Sequence, residues 1–505
     1  MWGIADEAFE VFLFRERDIA CTEKSKDGMI RVRKGRLRSY LRGQVMITGA
    51  FMVPHPPLII PEIGRGEEKK IQNTIDAYHE IGGRIGALRP DTIVLISPHQ
   101  TMYADYFHIS PGKGAKGDFG QFGAGWVKTE VSYDTEFAEN LAKLSEAGEI
   151  PAGPLGERDR RLDHGTMVPL YFVNQYWREY RLVRIGLSGL SLTEHYELGR
   201  RIKETAEVLN RNTAVIASGD LSHRLLETGP YGYKEEGPEY DRRIMDVMGS
   251  GDFEKLLEFP EDFCEKAGEC GHRSFVMMAG ALDRTAVRAE LLSYEGPFGV
   301  GYGICAYETG DKDLTRNLKD RYEEKEKRRI MDQRAKEDAY VQLARETIEE
   351  YVRTGRKMEI PENLPGEMYT SRAGVFVSVK KEGRLRGCIG TIQAVQASVA
   401  EEIIENAVSA SAKDPRFSPI EPKELDKLSI SVDVLGDTEA VDSPKQLDVK
   451  RYGVIVTKGY RRGLLLPNLP GVDTVEEQIA IAKQKAGIGA EEEVRLERFE
   501  VIRHF

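Results

Sequence analysis

The chain has 505 residues, too many for a single hydrophobic core, so two or three domains are expected. Its net charge of -11, from 83 acidic and 72 basic side chains, argues against nucleic acid or an anionic membrane as the main partner. No apolar stretch approaches the roughly 20 residues that cross a bilayer, and five cysteines (Cys21, Cys264, Cys270, Cys305, Cys388) without an even framework read as reduced thiols of a cytoplasmic protein.

Residues 1–45 hold a short mixed segment and then the basic run Arg31-Val32-Arg33-Lys34-Gly35-Arg36-Leu37-Arg38. A signal peptide would place charge, apolar core and small-residue cleavage site in that order, and this segment does not. It reads as a poorly packed extension or an upstream mis-start rather than a basic docking arm. From 46 to 309, strands alternate with helical patterns. A strand over 47–53 ends at Pro54-His55, helical periodicity covers 67–88, and a strand over 91–96 runs into Ser97-Pro98-His99. Helices over 134–147 and 166–177 precede a strand over 180–187 and a helix over 192–210. The strand 213–217 then leads through Ser218-Gly219-Asp220-Leu221-Ser222 to His223. Helical patterns over 239–249, 253–257 and 274–282 are followed by two antiparallel edge strands, 289–294 and 299–307. This alternation predicts an α/β domain over 46–309, with a mixed, mostly parallel sheet and flanking helices.

Residues 310–331 carry dense mixed charge and read as a solvated linker helix. From 332 to 505 the order is less regular. Helices over 339–354, 398–412 and 474–486 and strands over 374–380, 428–434 and 452–457 predict a smaller α+β domain.

Three strands therefore end in histidine, and open α/β sheets bind ligands outside the carboxyl ends of their strands. Imidazole is the commonest metal ligand and the usual proton carrier near neutral pH. A lone histidine is more often structural, but matching strand ends make His55 and His99 a metal pair able to hold Fe(II), Zn(II) or Cu. The run Glu269-Cys270-Gly271-His272 offers a third ligand. Cys270 is favoured slightly, Glu269 is second, and His272 would orient a ligand from behind. His223 suits acid/base work on a substrate hydroxyl. His164, at a helix start in Asp163-His164-Gly165-Thr166, either orients substrate or merely caps the helix.

Four segments carry a family likeness: Pro54-His55-Pro56-Pro57, Ser97-Pro98-His99, Leu162-Asp163-His164-Gly165-Thr166-Met167-Val168-Pro169-Leu170 and Ser218-Gly219-Asp220-Leu221-Ser222-His223. They resemble the class III extradiol ring-cleavage dioxygenases (LigB type), most closely the Memo-like branch. The resemblance implies a non-haem Fe(II) oxidoreductase acting on an aromatic or heteroaromatic small molecule, with His55 and His99 as ligands and His223 as acid/base. Memo-like proteins place a cysteine near the third ligand position, similar to Cys270. The remainder resembles the AMMECR family through Leu385-Arg386-Gly387-Cys388-Ile389-Gly390-Thr391, Asp414-Pro415-Arg416-Phe417, Ile430-Ser431-Val432 and Gly463-Leu464-Leu465-Leu466-Pro467. Both families occur with a radical SAM protein in the AmmeMemoRadiSam system, which implies such a partner and the alternative of a non-catalytic metal-binding component. Cys388, between two glycines in an expected turn beside Arg384 and Arg386, is a further candidate. So is Arg416, as the wall of a cleft.

Overall fold

The computed structural model describes residues 46–505 except Pro470, and the strands Thr22–Lys24 and Ile30–Val32, which pair antiparallel. The expectation of an extension over the rest of 1–45 lies outside the described residues.

Short branched apolar runs build the central sheet. In chain order the elements are β1 (Ile47–Val53), α1 (Gln72–Leu88), β2 (Thr92–Ser97), β3 (Gly114–Phe119) and β4 (Ala124–Ser132). Then come α2 (Thr135–Ala147), α3 (His164–Val173), β5 (Arg181–Gly186), α4 (Leu192–Val208) and β6 (Thr213–Ser218). They are followed by α5 (Glu236–Ser250), α6 (Glu261–Ala267), α7 (His272–Ala281), β7 (Thr285–Glu295) and β8 (Tyr302–Lys312). The sheet order is β7-β8-β1-β6-β2-β5. β1, β6, β2 and β5 run parallel, while β8 is antiparallel to β1 and β7 to β8. The expected mixed, mostly parallel α/β sheet is what forms.

Side chains alternate between the two faces with the period of a strand. Met52, Val94, Ile96, Val215, Ala217, Val183 and Ile185 face one core, which α2, α4, α5 and α7 cover. Phe51, Val53, Ile93, Leu95, Ala214, Ile216 and Leu182 face the other, under α1 and α3. Burial on both faces explains why these strands read as continuous apolar runs.

The mixed-charge segment is α8 (Leu318–Arg334), with only Leu318, Tyr322 and Ile330 buried. Beyond it lie α9 (Ala339–Thr354), β9 (Val375–Lys381), β10 (Arg384–Gly390), α10 (Val399–Ala412), β11 (Leu428–Leu435) and β12 (Glu439–Val441). The chain ends with β13 (Gly453–Lys458), β14 (Arg461–Leu465), α11 (Val475–Lys485), β15 (Arg495–Phe499) and β16 (Val501–His504). Two antiparallel sheets result, β10-β9-β11-β16 and β12-β15-β13-β14. α9 and α10 pack on the first, and α11 on the second.

Several expectations change in detail. β8 is not an edge strand, because it pairs with β1. Cys388 lies within β10 rather than in a turn. α3 begins at His164, two residues early, because Asp163 caps it by accepting from the Thr166 amide. No helix among the described residues is long and apolar enough to cross a membrane.

Candidate metal centre

β1, β6 and β2 are consecutive in the sheet, so the loops bearing His55, His223 and His99 leave one edge side by side. His55 Nε2 and His99 Nε2 face each other at 2.9 Å, and Cys270 Sγ lies 3.6 Å from His55 Nε2. These three donors lie within 4.8 Å of one another, the one such group among the described residues. An ion at the usual bond lengths of about 2.0–2.3 Å would hold its donors about 3–4 Å apart, so the set fits a metal.

The tautomer of His55 follows from its support. Ser218 Oγ donates to Gly165 O at 2.6 Å, which uses its only proton. It must therefore accept from His55 Nδ1, at 2.9 Å, leaving the Nε2 lone pair turned toward His99 and Cys270. The backbone of His55 is held as well, its N–H donating to Asp220 Oδ1 at 2.7 Å.

Burial, and then the neighbouring rings of His99, His164 and His223, hold the His55 imidazole well below its ordinary pKa. Burial also lowers His99, against the pull of Asp163. Neutral imidazoles are the form that binds metal. Burial pushes the Cys270 thiol well up, and Asp220 and Glu269 push it further. A bound cation reverses that balance, because coordination deprotonates a thiol.

Cys270 reaches the site through a contact of two glycines. A Cβ on Gly219 would stand 2.1 Å from Gly271 Cα, so only glycine lets the loop after β6 approach this closely. The Asp220 amide then donates to Cys270 Sγ at 3.3 Å. Glu269 is turned elsewhere: its Oε2 accepts from the His272 amide at 2.6 Å, at the first turn of α7. Burial raises its carboxyl to about 7, with the His272 amide, Arg273 and the Gly271 amide opposing. His272 points away from the cluster, with Nε2 on Leu256 O at 2.9 Å and Nδ1 3.2 Å from the Tyr240 hydroxyl. Only its backbone supports the loop, through Glu269. Of the three residues weighed for the third position, the structure brings Cys270 to the histidines.

His164 and His223 complete the surroundings. The His164 ring lies 4.0 Å from that of His99 and 5.4 Å from that of His55, centroid to centroid. The His223 ring lies 5.1 Å from Tyr231, and its Nε2 is buried without a hydrogen-bond partner. Both are lowered to about 4, first by burial and next by the charge of His99.

The remaining candidates form a separate group. Cys388 Sγ accepts from Ser378 Oγ at 3.2 Å, and its amide donates to Asp414 at 2.9 Å. Arg416 pairs with Asp414 at 2.7 Å and donates to the Cys388 carbonyl. Arg386 pairs with Glu424 at 3.0 Å and binds the carbonyls of Ser418 and Pro419. Sequence reasoning missed Ser218 and Asp220 as supports, although the small polar run after β6 was a visible signal.

Residues 49–305 match the family described as the catalytic LigB subunit of aromatic ring-opening dioxygenase, and residues 341–504 match AMMECR1. A protein of Clostridium acetobutylicum is 43% identical over 472 residues, which are 91% of this chain and 99% of that protein. One from Thermotoga maritima is 50% identical over 170 residues, 33% of this chain and 98% of its own length. The crystal structure of an uncharacterized protein from Pyrococcus horikoshii is 34% identical, with a TM-score of 0.31, covering 32% of this chain and 88% of that one.

Proposed function

This chain belongs to the LigB family and carries an AMMECR1 domain, and from that premise we propose that it is a metal-dependent oxidoreductase acting on an aromatic or heteroaromatic small molecule. The observation that carries the reading is the convergence of His55, His99 and Cys270 at the carboxyl edge of the sheet. The proposed metal is non-haem Fe(II), with Zn or Cu as the other ions this donor set accepts. Bound there, iron would supply redox capacity and positive charge. The chain's own groups do the rest. Ser218 keeps the His55 lone pair aimed at the other donors. His223, neutral and with Nε2 free, takes a proton from a substrate hydroxyl. His164 offers a second neutral ring beside His99 to orient the substrate.

A second reading, a non-catalytic metal-binding component serving a radical SAM partner, is favoured by one observation. The third donor is a thiol, and the nearby carboxylate of Glu269 is engaged at a helix terminus. Protein purified without oxygen, assayed for metal and then for O₂ consumption with a panel of catechols, separates the two. Stoichiometric iron with ring-opened product is expected. Iron without turnover of any catechol would favour the second reading, and stoichiometric zinc would favour metal-assisted hydrolysis.

A further inference from the structure

Arg184 is a buried cation that forms no ion pair among the described residues. It sits on β5 in the apolar run Leu182-Val183-Arg184-Ile185 and is 2% exposed. Its Nε donates to Ser110 Oγ at 2.9 Å, Nη1 to Arg161 O at 2.9 Å, and Nη2 to Asp159 O at 3.5 Å. Among the described residues, no carboxylate oxygen comes within 4.0 Å of its nitrogens. A guanidinium carries five N–H groups, so donors remain without an acceptor. Buried charges are ordinarily paired, because an unpaired one forfeits its hydration.

The surroundings point to what supplies the missing charge. Arg184 lines a cavity of about 460 Å³, within the range of small-molecule sites, and His99 and His164 stand on the same wall. Gln100 lines it too; it is 5% exposed, gives Nε2 to Ser110 Oγ at 2.7 Å, and leaves Oε1 buried without a partner. Whichever way that amide is turned, one polar atom stays open. The carboxylates on the wall are engaged elsewhere. Asp163 holds Ser97 and Thr166, Asp118 accepts from the Gly120 amide, and Asp159 pairs with exposed Arg161, feeling Arg184 only from beyond ion-pair distance.

We propose that Arg184 determines specificity by binding an anionic substituent, carboxylate or phosphate, on a ligand whose other end reaches the His99–His164 wall. Guanidinium suits both groups, since its planar fork pairs with two oxygens at once. The placement of the reacting end rests on the metal-centre reading, whereas the anion site does not.

The test is isothermal titration of the full, metal-free chain with benzoate, phenyl phosphate and neutral benzyl alcohol, and Fe(II) uptake is measured separately on aliquots of the same preparation. One anionic probe should bind at least about ten-fold more tightly than the alcohol, and which one it is separates carboxylate from phosphate. Arg184→Met should reduce that probe to the level of the alcohol. If Arg184→Met does not fold, Gln100→Glu gives the guanidinium a partner inside the protein and should abolish the preference. Equal binding of charged and neutral probes, or a preference that survives the substitution, would overturn the proposal and make Arg184 purely structural. Anion selectivity in protein that takes up no metal would sink the metal-centre reading alone. Metal uptake without selectivity would sink this one alone.

Discussion

Ser218 has one proton, and Gly165 O receives it. That single donation sets the tautomer of His55 and thereby its ability to act as a ligand. Ser218→Ala should lower metal affinity about 10–100-fold, the usual effect of losing a group that orients a ligand. It should cost about 1–3 kcal/mol of stability, because the His55 Nδ1–H and Gly165 O are left buried without that partner. Titration against a chelator checks this, and unchanged affinity would contradict the tautomer assignment. At this scale the histidines were legible, because a histidine past an apolar run declares its position. The choice between Cys270 and Glu269 was not. It depends on the Glu269 carboxylate reaching the amide three residues on, a contact that no spacing rule separates from ligation. Arg184 was overlooked although a charge inside an apolar run was a visible anomaly.

Two elements meet at Gly219 and Gly271, where the loop after β6 crosses the approach to α7. A methyl group on Gly219 would collide with backbone, which cannot rotate aside as a side chain can. Gly219→Ala should displace Cys270 and reduce bound metal at least about ten-fold, with little change in far-ultraviolet circular dichroism. Full metal content would show that the contact does not position the thiol. The parallel strands were readable because burial on both faces demands continuous apolar sequence. The hairpin of β3 and β4 was not, since exposed positions recur along both strands and glycines interrupt the pattern. β10 was misread for a related reason: glycine on either side of Cys388 signals a turn, yet Gly387 is there to admit the Ala410 carbonyl, 2.1 Å from where its Cβ would stand.

Across the whole molecule, buried titratable groups are handled in two ways. Around the candidate metal centre burial favours the neutral forms of His55, His99 and the Cys270 thiol, whereas ion pairs hold charge elsewhere, as Arg200 does with Asp283 and, in the AMMECR1 region, Arg386 and Lys381 do with Glu424. Burial pushes the Glu424 carboxyl up, but Arg386, the Glu421 amide and Lys381 outweigh it and hold it at about 2, below the ordinary 4.5. A carboxyl depressed in the native state stabilises fully above its unfolded pKa and loses that contribution as pH falls through the native value. Glu424→Gln should therefore cost about 2 kcal/mol at pH 7, less than a fully buried pair because its partners Arg386 and Lys381 are partly exposed. The gap from the native protein should close between pH 4.5 and 2, as followed by urea unfolding. A pH-independent gap would contradict this.

The α/β and α+β division was legible from alternation alone, but the meeting of the two parts was not. Arg384 of β10 reaches Glu261 of α6 at 2.7 Å and Gly189 O at 2.9 Å, contacts between residues more than a hundred positions apart in sequence.

The central claim is that His55, His99 and Cys270 share one ion. X-ray absorption at the metal edge of the loaded protein tests it most directly. A shell of nitrogen with one sulfur at about 2.3 Å is predicted, with the sulfur lost in Cys270→Ser and kept in Glu269→Gln. A sulfur-free shell in the native protein, or one unchanged by Cys270→Ser, would contradict it.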